Sequence, residues 1–239
     1  VVLEEEQWVE SLAMLTNIET NPKTCASDYE QTQIWKFKGY VYYSLDDFNG
    51  AIRAYRQVIN GVGTPPELRL DTRYTLAQLY TVEEQYALAA KELEAWMKEA
   101  TIIGNDARVL LAQIYYQLDR KSESLEMLEA AISDVESKGI LPKEGWWGLQ
   151  RVLYYEKNNY KRVVSILEQL VTHYPKWSYW KQLGGMYGEL EREDDRLVAT
   201  EVVYMNNQFD KESQVMSMAY MFLGAEVPYR AARIIEKGI

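Results

Sequence analysis

At 239 residues, 47% hydrophobic and 26% charged, the chain can build one sizeable core or an unbroken array of small units. Its net charge of −10 repels phosphate backbones and argues against nucleic acid as a partner. No apolar run approaches the roughly 20 residues of a membrane span, so no membrane insertion is expected.

The chain opens on "VVLEEEQW", with neither Met nor a secretory signal, so a processed or trimmed form is expected and compartment is not read from it. Residues 1–31 ("EQWVESLAMLTNIE") read as a helical piece, the second helix of a truncated unit. The single Cys25 cannot form an internal disulfide and reads as a small buried apolar residue. Beyond it, apolar residues recur at i, i+3, i+4 and i+7, as in "LRLDTRYTLAQLYTV" and "DARVLLAQIYYQL", and no alternating strand is visible. Breaks follow at "NGVGTPPE" (60–67), "IGND" (103–106), "KGILPKEG" (138–145) and "HYPKW" (173–177). The second should supply a Gly stop followed by an Asn or Asp cap.

The segments between breaks repeat. A small residue early in one helix is matched by another twelve residues on: Gly39 with Ala51, Ala77 with Ala89, Ala112 with Ser124, Ala219 with Ala231. An aromatic follows the first by three, at Tyr42, Tyr80, Tyr115, Tyr187 and Phe222. "WKFKGYVYYSLDDFNGAIRAY" carries Trp35, Gly39, Tyr42, Phe48, Ala51 and Tyr55, and "SYWKQLGGMYGELERE" carries Trp180, Leu183, Gly184 and Tyr187. This spacing resembles the tetratricopeptide repeat (TPR), a helix–turn–helix unit. Small residues let two antiparallel helices approach, and the rings fill the space around them. One pair cannot bury its apolar face alone, so pairs stack.

The expected fold is all-α, a right-handed superhelical solenoid of antiparallel helix pairs, with units at 32–66, 70–104, 105–139, 144–176, 177–209 and 212–239. Two units depart from the pattern. Arg196 stands where the fifth unit needs a small residue, and Glu193 where an aromatic is usual, so that helix should shift register or pack loosely. Arg151 holds the first small position of the fourth, which should splay its pair.

Chemistry-bearing motifs are few. The lone His173, beside a helix-ending Pro, reads as a turn or cap residue, and one His with one distant Cys makes no metal site. No Gly-rich loop has the strand–loop–helix setting and Lys of a phosphate site. The acidic runs 3–7 and 189–195 read as solvated helix ends. We therefore expect no catalytic, cofactor or metal residues.

What remains is a surface. In stacked pairs the first helices line a concave groove. The fifth, ninth and twelfth places of each unit give Lys36, Tyr40 and Tyr43; Tyr74, Gln78 and Thr81; Val109, Gln113 and Tyr116; Gly148, Val152 and Tyr155; then Lys181, Met216 and Tyr220. Tyr offers rigid apolar area and a hydroxyl, which suits peptide recognition. Two readings stand: a partner-binding groove, or an aromatic core continued to its rim. Lys36 could form half of the clamp with which chaperone-binding TPR domains hold a carboxylate, but Tyr40 replaces the required Asn.

The last hundred residues resemble the periplasmic TPR proteins encoded beside TonB–ExbB–ExbD energy-transduction systems of proteobacteria. The resemblance rests on Tyr174-Pro175, Trp180, Leu183-Gly184, Lys211-Glu212-Ser213, Pro228-Tyr229, Ala231-Ala232 and Glu236-Lys237-Gly238. It implies an exported bacterial adaptor that assists TonB-dependent uptake, with a TonB-system component as partner and no catalytic residues. A cytoplasmic location, and an organiser of an envelope assembly acting by self-association or its convex face, remain as alternatives.

Overall fold

The computed structural model describes residues 2–21 and 27–238, and among them forms thirteen helices and no strand. Cys25, expected to be buried, lies outside the described residues. The chain divides into two compact units, Val1–Ala131 and Ile132–Ile239. In the first, α1 (Val2–Thr20) packs along α2 (Asp28–Ser44), α2 pairs with α3 (Phe48–Asn60), α4 (Pro66–Val82) pairs with α5 (Tyr86–Glu99), and α6 (Asn105–Gln117) packs on α5. The boundary falls within α7 (Lys121–Ser137). In the second, α8 (Glu144–Glu156) pairs with α9 (Tyr160–His173), α10 (Trp177–Glu189) with α11 (Glu193–Met205), and α12 (Glu212–Gly224) with α13 (Pro228–Gly238). Within this unit α10 packs on α9 and α12 on α11, which stacks the three pairs in chain order.

Caps set the helix starts. Ser27 Oγ accepts from the Glu30 amide while the Glu30 carboxylate accepts from the Ser27 amide, a reciprocal box that starts α2 at Asp28. Pro66, whose missing N–H costs nothing at a first helical position, opens α4. These two helices thus begin four residues ahead of positions 32 and 70. At 103–106 the order differs from expectation: Gly104 is itself the cap of α6, and Asn105 and Asp106 lie in the first turn.

The turns inside these five pairs and the turn from α6 to α7 share one geometry. Each puts its middle residue in the left-handed region: Asp46, Glu84, Asp119, Asn158, Glu191 and Glu226, all with φ between 55° and 60°. The next residue then donates its amide to the carbonyl of the repeat's aromatic, as Asp47 to Tyr42 at 2.9 Å, Arg120 to Tyr115 at 2.9 Å and Val227 to Phe222 at 2.8 Å. These bonds close helix ends that usually need glycine at the left-handed place.

The repeated small residues meet as the spacing requires. Ala51, Ala77, Ala89, Ala112 and Ser124 are fully buried, and the Ser124 hydroxyl donates to the Ala112 carbonyl at 2.7 Å. Tyr55 lies across Gly39 so closely that a Cβ there would sit 2.6 Å from its ring. The Arg151 guanidinium reaches from α8 to Gln182 of α10 and leaves its Nε buried without a partner. In the fifth pair the close approach slips by about one turn. Gly184 faces Ala199 and Thr200, while the Arg196 side chain folds over Gly188.

Candidate functional site

On α2, Lys36, Tyr40 and Tyr43 follow at spacings of four and three and share one exposed face. Tyr40 and Tyr43 are 54% and 52% exposed. Trp8 of α1 meets Tyr40 edge-on at 5.6 Å, so the N-terminal helix touches this face without covering it. Tyr43 leans on Phe48 at 5.8 Å. Burial, then the neighbouring Tyr40 and Tyr43, push the Tyr55 phenol up.

Other expected groove residues have different fates. Tyr74 packs on Trp96 at 5.0 Å and is half-buried; burial and then Asp106 raise its pKa. It serves the packing of its own pair. Val109 is buried, contrary to a groove position. Gln78 and Gln113 are exposed, and Thr81 and Tyr116 half-buried. In the second unit Tyr155 is 51% exposed and leans on Tyr160 at 5.7 Å. Gly148 and Val152 are half-buried, and Met216 is exposed. Lys181 pairs with Asp210 at 2.6 Å, and Tyr220 is 66% exposed.

Lys181 and Tyr220 border two adjoining hollows between α10, α11 and α12. The smaller, of about 180 Å³, is lined by Trp180, Gly184, Arg196, Thr200, Phe209 and Met221 among others. The larger, of about 500 Å³, is lined by Glu193, Asp194, Arg196, Ser217, Tyr220 and Met221 among others. The sequence signal for this place is Arg196, whose departure from the repeat reads in sequence as a packing fault.

A second feature also escapes sequence reading. Tyr115 donates to Glu94 at 2.9 Å, and Arg120, whose guanidinium stacks 4.0 Å from the Tyr115 ring, donates to the same carboxylate at 3.0 Å. In the second unit Tyr187 donates to Glu168 at 2.9 Å beneath Arg192. Each bracket ties one helix pair to the next. Burial first, then the Glu94 and Glu168 hydrogen bonds, push the Tyr115 and Tyr187 phenols up to about 12. Tyr179, on Glu144, is likewise raised to about 12 by burial and that bond. Glu144 is in turn held below the usual carboxylate range by Lys176 and Tyr179.

A phenol that titrates higher folded than unfolded stabilises fully below its unfolded value of 10.0 and ceases to as pH passes its folded value of about 12. The protein is therefore expected to lose stability between those two values. Near-ultraviolet titration should show Tyr115, Tyr179 and Tyr187 ionising last among the 19 tyrosines. A single transition near the ordinary value, unchanged in Tyr115→Phe and Tyr187→Phe, would remove the brackets.

His173 ends α9 and faces Trp147 at 5.9 Å. Among the described residues no cluster of three or more His, Cys, Asp or Glu could hold a metal, and no helix is long and apolar enough to cross a membrane.

Residues 32–60 and 106–133 match the tetratricopeptide repeat family model. The matched segments are the pair α2–α3 and α6 with most of α7. The fold is accordingly of the TPR type. MamA (AMB-1) is similar in structure with a TM-score of 0.54 at 15% identity, over 72% of this chain and 91% of that one. YrrB, a TPR protein with an unusual peptide-binding site, gives 0.55 at 15% identity, over 70% of this chain and 82% of its own. A TPR protein from Parabacteroides merdae gives 0.53 at 14% identity, over 98% and 91%. No curated protein matches the chain.

Proposed function

We propose that this protein is a non-enzymatic interaction module that takes an extended or helical segment of a partner protein on the tyrosine-bearing faces of its first helices. The observation that carries the reading is the half or greater exposure of Tyr40, Tyr43, Tyr155 and Tyr220. Large apolar rings left in water on regular elements suit a partner's side chains better than they suit solvent. YrrB, similar in fold, is a TPR protein with an unusual peptide-binding site, and a peptide ligand is what we propose here.

The proposed partner is the periplasmic segment of TonB, with this chain acting in the periplasm to assist TonB-dependent uptake. A Pro-rich, basic segment is preorganised in extended form and complements a chain of net charge −10. Calorimetric titration with that segment at low and moderate salt is the test. Saturable binding that weakens with salt, and weakens about tenfold or more in Tyr43→Ala and Tyr155→Ala, is expected. Absence of heat from a folded protein would end the TonB assignment. Binding indifferent to both substitutions would move the contact off the tyrosine faces.

A further inference from the structure

We propose that the cleft between α11 and α12 receives the carboxyl terminus of a partner polypeptide whose last side chain is apolar, with Arg196 taking the carboxylate. The proposal rests on the reading of the chain as an interaction module and adds a ligand chemistry of its own.

The starting point is one place in the second helix of each pair. It is filled by Ala51, Ala89, Ser124, Val163 and Ala231, each at most 2% exposed. In α11 the same place holds Arg196. A guanidinium cannot be sunk into such a contact without a partner. Here it turns outward instead. Its side chain runs over Gly188, where an added Cβ would lie 3.2 Å from Nε, and it lines both hollows. Glycine on α10 therefore makes the room that the arginine uses.

The smaller hollow has an apolar side formed by Trp180, Val203, Phe209 and Met221, while Lys181 and Gln214 join the guanidinium on its polar side. Its volume of about 180 Å³ suits one ring or branched aliphatic group; an apolar cavity of about 150 Å³ is enough to bind benzene. The larger hollow shares Arg196, Ser217 and Met221 with it and is lined also by Tyr220, Glu193 and Asp194. In a C-terminal residue the carboxylate and side chain branch from one carbon. The carboxylate can thus meet Arg196 while the side chain enters the hollow beside it. An internal Asp or Glu brings the charge without the apolar group.

Arg196 is only loosely engaged. Its carboxylate neighbour, Glu193, lies at 3.4 and 3.5 Å, the outer limit of a hydrogen bond, and is 62% exposed. At the border Lys181 is held by Asp210, itself 71% exposed. Exposed pairs of this kind contribute little. Glu193 can return to water when a ligand carboxylate engages the guanidinium with two parallel bonds.

The probes are N-acetyl-phenylalanine and its amide, titrated into the full chain with isotope-labelled methionine methyls, reading Met221 by NMR. The free acid should shift the Met221 signal and bind about tenfold more tightly than the amide. Arg196→Ala should erase that difference. Since Ala is what other pairs carry at this place, the variant should melt no earlier than the parent. Arg196→Lys, which keeps the charge but not the fork, should bind with intermediate affinity. Equal affinity for acid and amide, no shift at Met221, or a preference that survives Arg196→Ala would overturn the proposal. If Arg196→Ala melts early, the Lys variant decides: full acid preference there would equally overturn the bidentate role. Because these probes need no partner protein, failure here is separate from failure of the TonB titration.

Discussion

Replacing Glu19 by Gln should free α1 from α2. Lys38, whose side chain is only 6% exposed, is ion-paired to Glu19, and Gln31 donates to the same carboxylate at 3.2 Å. Its other neighbour is the Trp35 ring at 4.9 Å. Taking away one member of a buried pair strands the other charge, at a cost of about 3–5 kcal/mol. The chain need not bear all of this, because lifting α1 returns the ammonium to water. The measured loss should therefore equal the docking energy of α1 and appear locally. Hydrogen exchange of residues 8–20 should accelerate at least tenfold, with the α4–α5 amides unaffected. Exposure of Tyr40 should rise at the same time, since Trp8 leaves with the helix. Glu19→Leu combined with Lys38→Met should restore protection, as an apolar pair carries no desolvation cost. Unchanged exchange in Glu19→Gln would show that Trp8 and the apolar face alone hold α1.

Replacing Leu93 by Ala is expected to cost about 2–5 kcal/mol by urea unfolding. Leu93, on α5, is fully buried in the cluster formed by Leu76 and Tyr80 of α4 with Leu111 and Ile114 of α6. Its side chain therefore serves the contact within one pair and the contact to the next. Truncation leaves a void that three helices would have to close together, and helices tied by the Tyr115–Glu94–Arg120 bracket have little freedom to do so. Leu93→Met, which keeps the volume, should cost under about 1.5 kcal/mol. A loss below about 1 kcal/mol for the Ala variant would mean that the pairs slide together more readily than this packing allows.

These expectations differ in how far they can be read from the chain alone. The helix pairs were legible because their packing is local. A small residue meets its counterpart twelve residues on, and an aromatic three residues from the first closes the same turn, so one short window holds both sides of the contact. Ala77 with Ala89 and Tyr80 is such a case, all three buried. The left-handed turns were not legible, because Glu84, Glu191 and Glu226 are not residues that favour that conformation. They are held there by the bond from the next amide to the aromatic's helix.

The candidate faces were read only in part. Tyr43 and Tyr74 come from the same counting of repeat positions, yet one is half exposed and the other packs on Trp96. A Tyr's fate depends on what the neighbouring helix presents, and no counting along its own helix reveals that. Arg196 makes the same point more strongly. That α11 breaks the repeat there follows from the chain alone, since a long cation cannot replace Ala in a close helix contact. What the break becomes depends on the groups that α10 and α12 bring up to it in space. Of the two outcomes expected from sequence, a shifted register or a loose pair, the pair slips by about one turn; Gly188 lies under the guanidinium, and a cleft opens between α11 and α12.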